Sequence, residues 1–151
     1  MSVVRLYWDA NAFITLVENG GPVSERLGEL LERAFDEEIT IVTSELTLAE
    51  LLVRPLREDN ADRVYVYRDL LEAVGTIEAL SISRDVLLAT AQIRADHRSV
   101  RLPDAIHIAT AEIARCSHFL SGDLRLPVRP AFNKVDLDIA LLDQLLAQLD
   151  D

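Results

Sequence analysis

An α/β fold built on a parallel sheet is predicted by three observations. Short β-branched and aromatic runs recur along the chain, segments with apolar residues at helical spacing separate them, and the two kinds alternate instead of clustering by type. Strands joined through helices cross over in one direction, which gives a parallel sheet covered by helices on both faces. One domain over residues 1–151 is expected, because 151 residues that are 50% hydrophobic, with a mean hydropathy of +0.15, bury a single sizeable core. Only 5 Gly and 5 Pro, dispersed, exclude a collagen-like array or a low-complexity tract.

Each element follows from its local pattern. Val3 to Trp8 is apolar on both alternating faces apart from Arg5, as a central strand covered on both sides requires. It stops at Asp9, and a short helix over residues 12–17 follows, broken by Asn19-Gly20-Gly21-Pro22. Ser24 to Glu37 places Leu27, Leu30, Leu31 and Ala34 on one helical face, and Ile39 to Thr43 is a second buried strand. Ser44 or Thr47 caps the next helix, which is predicted to stop near Val53 because Arg54-Pro55 disfavours continuation. A helix over 60–74 ends at Gly75, a strand spans 76–80, and Ser83 caps a helix reaching His97 or Arg98. Pro103 presets the first turn of a helix running to about Cys116. A strand over 117–121, a weaker one over 134–137 and a closing helix over 138–149 complete the chain.

Charge and cysteine content narrow the function classes. With 15 basic and 26 acidic residues the net charge is −11, which repels nucleic acid and anionic membranes unless something local holds them. The single Cys116 forms no intramolecular disulfide, and one Cys with three scattered His builds no zinc cluster, so a reducing, cytoplasmic setting is expected. The apolar run from Met1 to Trp8 is interrupted by Arg5 and falls far short of the ~20 residues of a membrane span, so neither signal peptide nor membrane anchor is expected.

In a parallel α/β sheet the site lies at the carboxyl ends of the strands, and four acids map there. Asp9 follows the first strand directly, Asp123 follows the 117–121 strand by two residues, and Asp104 opens a helix after Pro103. Glu50 shares a helical stripe with Leu46 and Val53. Each has a bland alternative: Asp9 or Asn11 as a helix cap or Asx turn, Asp104 in the helix dipole, Asp123 as a loop residue, Thr47-x-x-Glu50 as a capping box. Together, clustered carboxylates without soft ligands select a hard cation, Mg²⁺ or Mn²⁺, and the implied chemistry is phosphodiester hydrolysis. Arg94, His97, Arg98 and Arg101 bring positive charge ahead of Asp104, and the three arginines are candidate phosphate contacts. His107 reads as a packed or solvent-bridged histidine, since hard-ion chemistry requires none. With 4 Phe, 3 Tyr and 1 Trp, no stacking platform for bases is evident.

Three segments carry a resemblance. Tyr7-Trp8-Asp9-Ala10-Asn11-Ala12-Phe13-Ile14, then Thr43-Ser44-Glu45-Leu46-Thr47-Leu48-Ala49-Glu50-Leu51-Leu52, then Leu102-Pro103-Asp104-Ala105-Ile106-His107-Ile108-Ala109-Thr110-Ala111 are similar, in order and spacing, to the motifs of PIN-domain ribonucleases, closest to VapC-type toxins of bacterial toxin–antitoxin pairs. The resemblance spans nearly the whole chain. It implies an α/β/α sandwich with sheet order 3-2-1-4-5, Mg²⁺- or Mn²⁺-dependent endoribonuclease activity on RNA, a homodimer, and inhibition by a small cognate antitoxin whose tail enters the groove. Carried over by position, Asp9, Glu50, Asp104 and Asp123 match the catalytic and metal-binding acids, and Asn11, Ser44 and Ser121 match supporting polar groups. Two positions depart from the pattern: Ser121-Gly122-Asp123 stands where Thr-Asn-Asp is common, and Leu126 where an aromatic is common.

The apolar residues of the 12–17 and 46–53 helices exceed the needs of one sheet face and predict a groove for a partner. A catalytically weak protein-binding module is the alternative reading. A phosphoryl-transfer or receiver-type α/β domain ranks lower, because no Gly-x-x-x-x-Gly-Lys loop for a nucleotide is present and the weak last strand carries its only Lys, Lys134, at its start.

Overall fold

The computed structural model describes residues 3–72 and 75–151. The predicted strands form as β1 (Val4–Trp8), β2 (Ile39–Ser44), β3 (Ile77–Leu80), β4 (His118–Ser121) and β5 (Asn133–Asp136). All pairings are parallel and the order is β3-β2-β1-β4-β5, as the resemblance implied. The most apolar strand takes the centre, and Leu6, Tyr7 and Trp8 are fully buried. Arg5, the polar exception, turns its guanidinium to the sheet's other edge: its Nε donates to the Ala114 carbonyl at 2.8 Å and its Nη1 pairs with Glu78 at 3.1 Å.

Strand alternation divides the core into two layers. Leu6, Trp8, Ile41 and Leu120 pack on one face with Phe13, Leu27, Leu30, Leu51, Tyr67 and Leu142. Tyr7, Val42 and Phe119 pack on the other with Val86, Ile93, Ile106, Ile108 and Ala109. The second layer is aromatic at its centre, where the Tyr7 and Phe119 rings stack at 4.8 Å and Phe119 stacks on Phe132 at 5.1 Å.

The helices are α1 (Ala10–Ile14), α2 (Gly21–Phe35), α3 (Glu45–Arg57), α4 (Ala61–Glu72), α5 (Arg84–Asp96), α6 (Leu102–Ile113) and α7 (Ile139–Asp150). Several bounds differ from the sequence expectation, each for a local reason. The first helix starts at Ala10, because Asp9 itself caps it, and passes into a π turn over Thr15–Asn19. The Ser24 hydroxyl donates to the Leu16 carbonyl at 2.8 Å, supplying a partner inside that π turn. Helix α2 begins at Gly21 because Pro22 fits a first turn, and the two helices part at Gly20 and Gly21, whose φ of 63° and 85° suit glycine.

Helix α3 runs through Pro55 to Arg57 and does not stop near Val53. The proline ring is buried, and its own carbonyl accepts from Asn60 N–H at 2.8 Å, so the turn beyond it closes. Ser44, not Thr47, is its cap, accepting from Leu46 N–H at 3.1 Å. The capping box from Thr47 to Glu50 does not form, since Thr47 lies inside the helix and its hydroxyl meets that of Thr43 at 2.7 Å. The expected end of α4 at residues 73–74 lies outside the described residues. Ser83 and Pro103 act as expected, at the cap of α5 and in the first turn of α6. Helix α6 stops at Ile113, short of Cys116, because Arg115 adopts φ 58° and lets Cys116 N–H reach back to the Ala111 carbonyl at 3.0 Å.

Strand order turns back on itself between β1 and β4, the geometry that opens a crevice at the carboxyl ends of those strands. Asp9 and the Ser121-Gly122-Asp123 segment follow those two strands.

Candidate active site

Asp9 leaves β1 as the N-cap of α1, its Oδ1 accepting from Ala12 N–H at 3.2 Å while its own N–H donates to the Leu120 carbonyl of β4 at 3.3 Å. These bonds fix its carboxylate between the two central strands with only 8% of the residue exposed. Burial raises its carboxyl pKa to about 6, against the stabilising hydroxyl of Ser121, the nearby His107 ring and the Ala12 N–H; the charge of Glu50 pushes it further up. Ser121 is itself fully buried, and its Oγ accepts from Asp123 N–H at 3.0 Å, which leaves the hydroxyl proton for Asp9.

Glu50 reaches the same edge from α3. The buried side of that helix carries Thr47, Leu51 and Pro55, and of the Leu46–Glu50–Val53 stripe Leu46 packs against the second core layer while Glu50 and Val53 face outward. Glu50 turns across to α6, where its Oε1 accepts from His107 Nε2 at 2.6 Å, and His107 Nδ1 lies 2.6 Å from the Tyr7 hydroxyl. The β2–α3 turn is held against β1 by Thr43, whose hydroxyl donates to the Trp8 carbonyl at 2.7 Å. Ser44 is fully buried at the head of α3, and its role here is the cap.

Asp104 and Asp123 line one pocket together with Ser99, Arg101, Arg125 and Leu126. Arg101 Nε lies 3.5 Å from Asp104 Oδ2, and Arg125 Nε lies 3.1 Å from Asp123 Oδ1. The Arg125 hydrogen bonds hold the Asp123 carboxyl below its ordinary value. Asp123 Oδ1 also accepts from the Arg125 backbone N–H at 2.9 Å, an Asx turn that fixes the loop where the amide implied by the resemblance is replaced by Gly122. Asn11 is exposed beside Gly122, where a Cβ on the glycine would lie 3.6 Å from Asn11 Cβ. Of the basic candidates, Arg94 donates to the Val100 carbonyl at 3.3 Å and props the loop before α6, Arg98 is exposed, and Arg101 borders the Asp104 pocket.

The four acids therefore meet as two groups, one centred on Asp9 and Glu50 and one on Asp104 and Asp123. The sequence named these four acids as candidates but not Arg125, Thr43 or the bridging place of His107. The Asp-x-Arg spacing at 123–125 and the Thr43-x-x-x-Thr47 repeat are the signals that carry the first two. Among the described residues, no three His, Cys, Asp or Glu stand together as a ready-made metal cage. The donors still suit a hard cation: they are carboxylate oxygens, and Mg²⁺ is usually held by one or two carboxylates while keeping several waters. Among the described residues Glu50, Asp104 and Asp123 each have a basic partner, while Asp9 has no salt bridge and is the most buried of the four acids. Cys116 is buried, and burial raises its thiol pKa, so it offers no competing soft ligand.

A five-stranded parallel α/β domain with acids gathered over the turning point of its sheet defines a class of protein, and sequence comparison gives the family. The chain belongs to the PIN domain family, whose profile matches residues 6–133. No curated protein matches it by sequence. Among solved structures, VapBC2 from Rickettsia felis, bound to a DNA fragment from its promoter, is similar with a TM-score of 0.70 at 13% identity, covering 89% of this chain and 100% of that one. A toxin–antitoxin complex from Klebsiella pneumoniae gives 0.63 at 21% identity, covering 88% and 98%. VapC20 from Mycobacterium tuberculosis, described as a sarcin-ricin loop cleaving toxin, gives 0.62 at 15% identity, covering 83% and 99%. At these identities the likeness is one of fold.

Proposed function

We propose that this protein is a Mg²⁺- or Mn²⁺-dependent endoribonuclease, the toxin of a cytoplasmic toxin–antitoxin pair, with residues 1–151 forming one PIN domain. The observation that carries the reading is Asp9: a carboxylate buried at the turning point of the sheet, raised to about 6 by desolvation, and lacking a basic ion-pair partner among the described residues. As a structural group Asp9 caps the five-residue α1, a bond that a neutral Asn or Ser makes without burying a charge, whereas a ligand for a cation uses the charge itself. Glu50 beside it, with Asp104 and Asp123 in the adjoining pocket, completes an all-oxygen donor set.

In this reading Asp9, Glu50, Asp104 and Asp123 hold Mg²⁺ or Mn²⁺, and the ion supplies, when bound, an activated water and charge relief at the phosphate. The chain's own work is to place and charge these oxygens. Ser121 donates to Asp9 and keeps its ionised form accessible, and the Ser44 cap and Thr43 hold the start of α3 so that Glu50 faces the edge. Arg101 and Arg125, largely exposed beyond their carboxylate contacts, border the Asp104–Asp123 pocket and supply local positive charge for a phosphate backbone on a molecule of net charge −11. RNA as substrate is supported by the fold shared with a toxin described as cleaving the sarcin-ricin loop. An antitoxin partner is supported by neighbours solved as toxin–antitoxin complexes. No helix of the described residues is long and apolar enough to cross a membrane.

A homodimer is part of the proposal, and the exposed apolar residues only partly match the partner groove expected over the 12–17 and 46–53 helices. Ala12, Phe13 and Leu51 are buried within the domain, while Val53 and Leu56 at the end of α3 and Tyr65 and Val66 on α4 are exposed. The pairing of Glu50, Asp104 and Asp123 with His107, Arg101 and Arg125 also favours the second reading, a binding module with negligible turnover. Purified protein with single-stranded RNA separates the two. Cleavage abolished by EDTA and restored by Mn²⁺ is expected, and undiminished cleavage in EDTA, or none with either metal, overturns the nuclease reading.

A further inference from the structure

The geometry points to His107 as a positioning residue, locked by Tyr7, that holds the Glu50 carboxylate in place at the acidic edge. The inference rests on the reading of that edge as a metal-dependent nuclease site and adds a residue to it.

A chain of contacts crosses four elements. Phe119 on β4 stacks on Tyr7 of β1 at 4.8 Å, and the Tyr7 hydroxyl meets His107 Nδ1 at 2.6 Å with the two rings edge to face at 5.7 Å. His107 on α6 then meets Glu50 Oε1 on α3 at 2.6 Å. Tyr7 is fully buried and His107 is 3% exposed, so neither ring has room to turn. A carboxylate only accepts, so Nε2 carries the proton in the bond to Glu50, and in the neutral ring Nδ1 accepts from the Tyr7 hydroxyl. With both nitrogens engaged, the ring has no lone pair for a metal. Its place is behind the carboxylate, not in front of it.

The reason for such a device lies in Glu50. Its side chain is long, sits at the outer stripe of α3 and is partly solvated, so unsupported it would sample many rotamers. The bond to a fixed imidazole removes that freedom before any ion or substrate arrives, as outer-shell histidine contacts do for ligating carboxylates. A merely packed histidine would satisfy its nitrogens on the nearest backbone. Here the partner is an acid contributed by another helix, 57 residues away in sequence, at the same edge as Asp9.

The test uses His107→Leu, His107→Gln and Tyr7→Phe, with Mn²⁺ affinity read by electron paramagnetic resonance and RNA cleavage read as kcat and KM. Leucine keeps the bulk and loses the donor, whereas glutamine keeps an N–H able to reach Glu50. We expect His107→Leu to lose about 10–100-fold in Mn²⁺ affinity and in kcat with little change in KM, His107→Gln to recover most of both, and Tyr7→Phe to show a smaller loss in the same direction. Leucine at wild-type affinity and rate, or glutamine no better than leucine, overturns the inference. Wild type that binds Mn²⁺ and cleaves no RNA removes the nuclease reading, while the affinities still decide the role of His107; wild type that binds no Mn²⁺ overturns both. Should the leucine variant fail to fold, nitrogen-15 spectra decide. A slowly exchanging His107 Nε2 proton, present in wild type and lost in Glu50→Ala, is expected, and its persistence in Glu50→Ala is contrary.

Discussion

Asp9 and Asp123 follow neighbouring strands and treat their charges in opposite ways. Asp9 is buried, has a raised carboxyl pKa and meets no base directly; Asp123 lies nearer the surface, has a lowered one and is held by Arg125. Burial penalises a lone carboxylate, while an adjacent guanidinium rewards it. Among the described residues this edge thus carries one acid without a base, Asp9, next to three that have one. A binding energy for cations is concentrated at Asp9, whereas the Asp104–Asp123 pocket holds arginines on exposed, salt-screened contacts that a phosphate can draw away.

The sharpest way to break this comparison is to neutralise each side in turn. Asp9→Asn is expected to lose more RNA cleavage than the roughly 10–100-fold typical of outer-shell partners, measured at saturating Mn²⁺. Equal activity in this variant would move the chemistry away from β1. Next in size is pH dependence. Between the ordinary carboxylate value of 3.8 and about 6, folded Asp9 keeps a proton that the unfolded chain has lost, so its contribution to metal-free stability falls as pH rises through that window and is flat above it. Denaturant titrations of wild type minus Asp9→Asn should show this decline, by up to about 3 kcal/mol. Mn²⁺ affinity should run the other way, weakening below pH of about 6 as protons compete.

Smaller effects sharpen the boundary between the two groups. Gly122 lies between Ser121 and Asp123 without a positive φ, and a Cβ there would make ordinary contacts at 3.6 Å with Asn11 Cβ and Leu137 Cδ1. Gly122→Ala is therefore expected to stabilise by about 0.4–1 kcal/mol in chemical denaturation with cleavage kept. A destabilised variant would mean that the glycine is required by the loop. Smallest is Arg125→Gln, expected to leave the melting temperature nearly unchanged, to raise the Asp123 titration seen by nuclear magnetic resonance, and to weaken RNA binding most at low salt.

Much of this was legible in the sequence where the signal is local. The apolar run ending at Asp9 marks a central strand and its acid, Ser83 and Pro103 mark helix starts, and the acids fall at one edge of the sheet. Pro55 misled because a proline near the last turn of a helix removes one hydrogen bond while its buried ring packs, and local rules weigh only the loss. Ser44 against Thr47 turned on which hydroxyl the chain reverses beside, and Thr47 was taken by Thr43. The division of the four acids into two groups, and the link from Tyr7 through His107 to Glu50, depend on side chains meeting across β1, α3 and α6. Spacing along the chain reports which edge a residue reaches, not which neighbour it meets there.

The central claim is that Asp9 is destabilising in the metal-free fold because it is kept for a cation. Paired thermal melts of wild type and Asp9→Asn at neutral pH, each in EDTA and in Mn²⁺, test it most directly. Asparagine still accepts from Ala12 N–H and removes the buried charge, so the variant should melt several degrees higher than wild type in EDTA and gain far less from Mn²⁺. A variant that melts lower in EDTA and gains as much from Mn²⁺ as wild type would contradict the account.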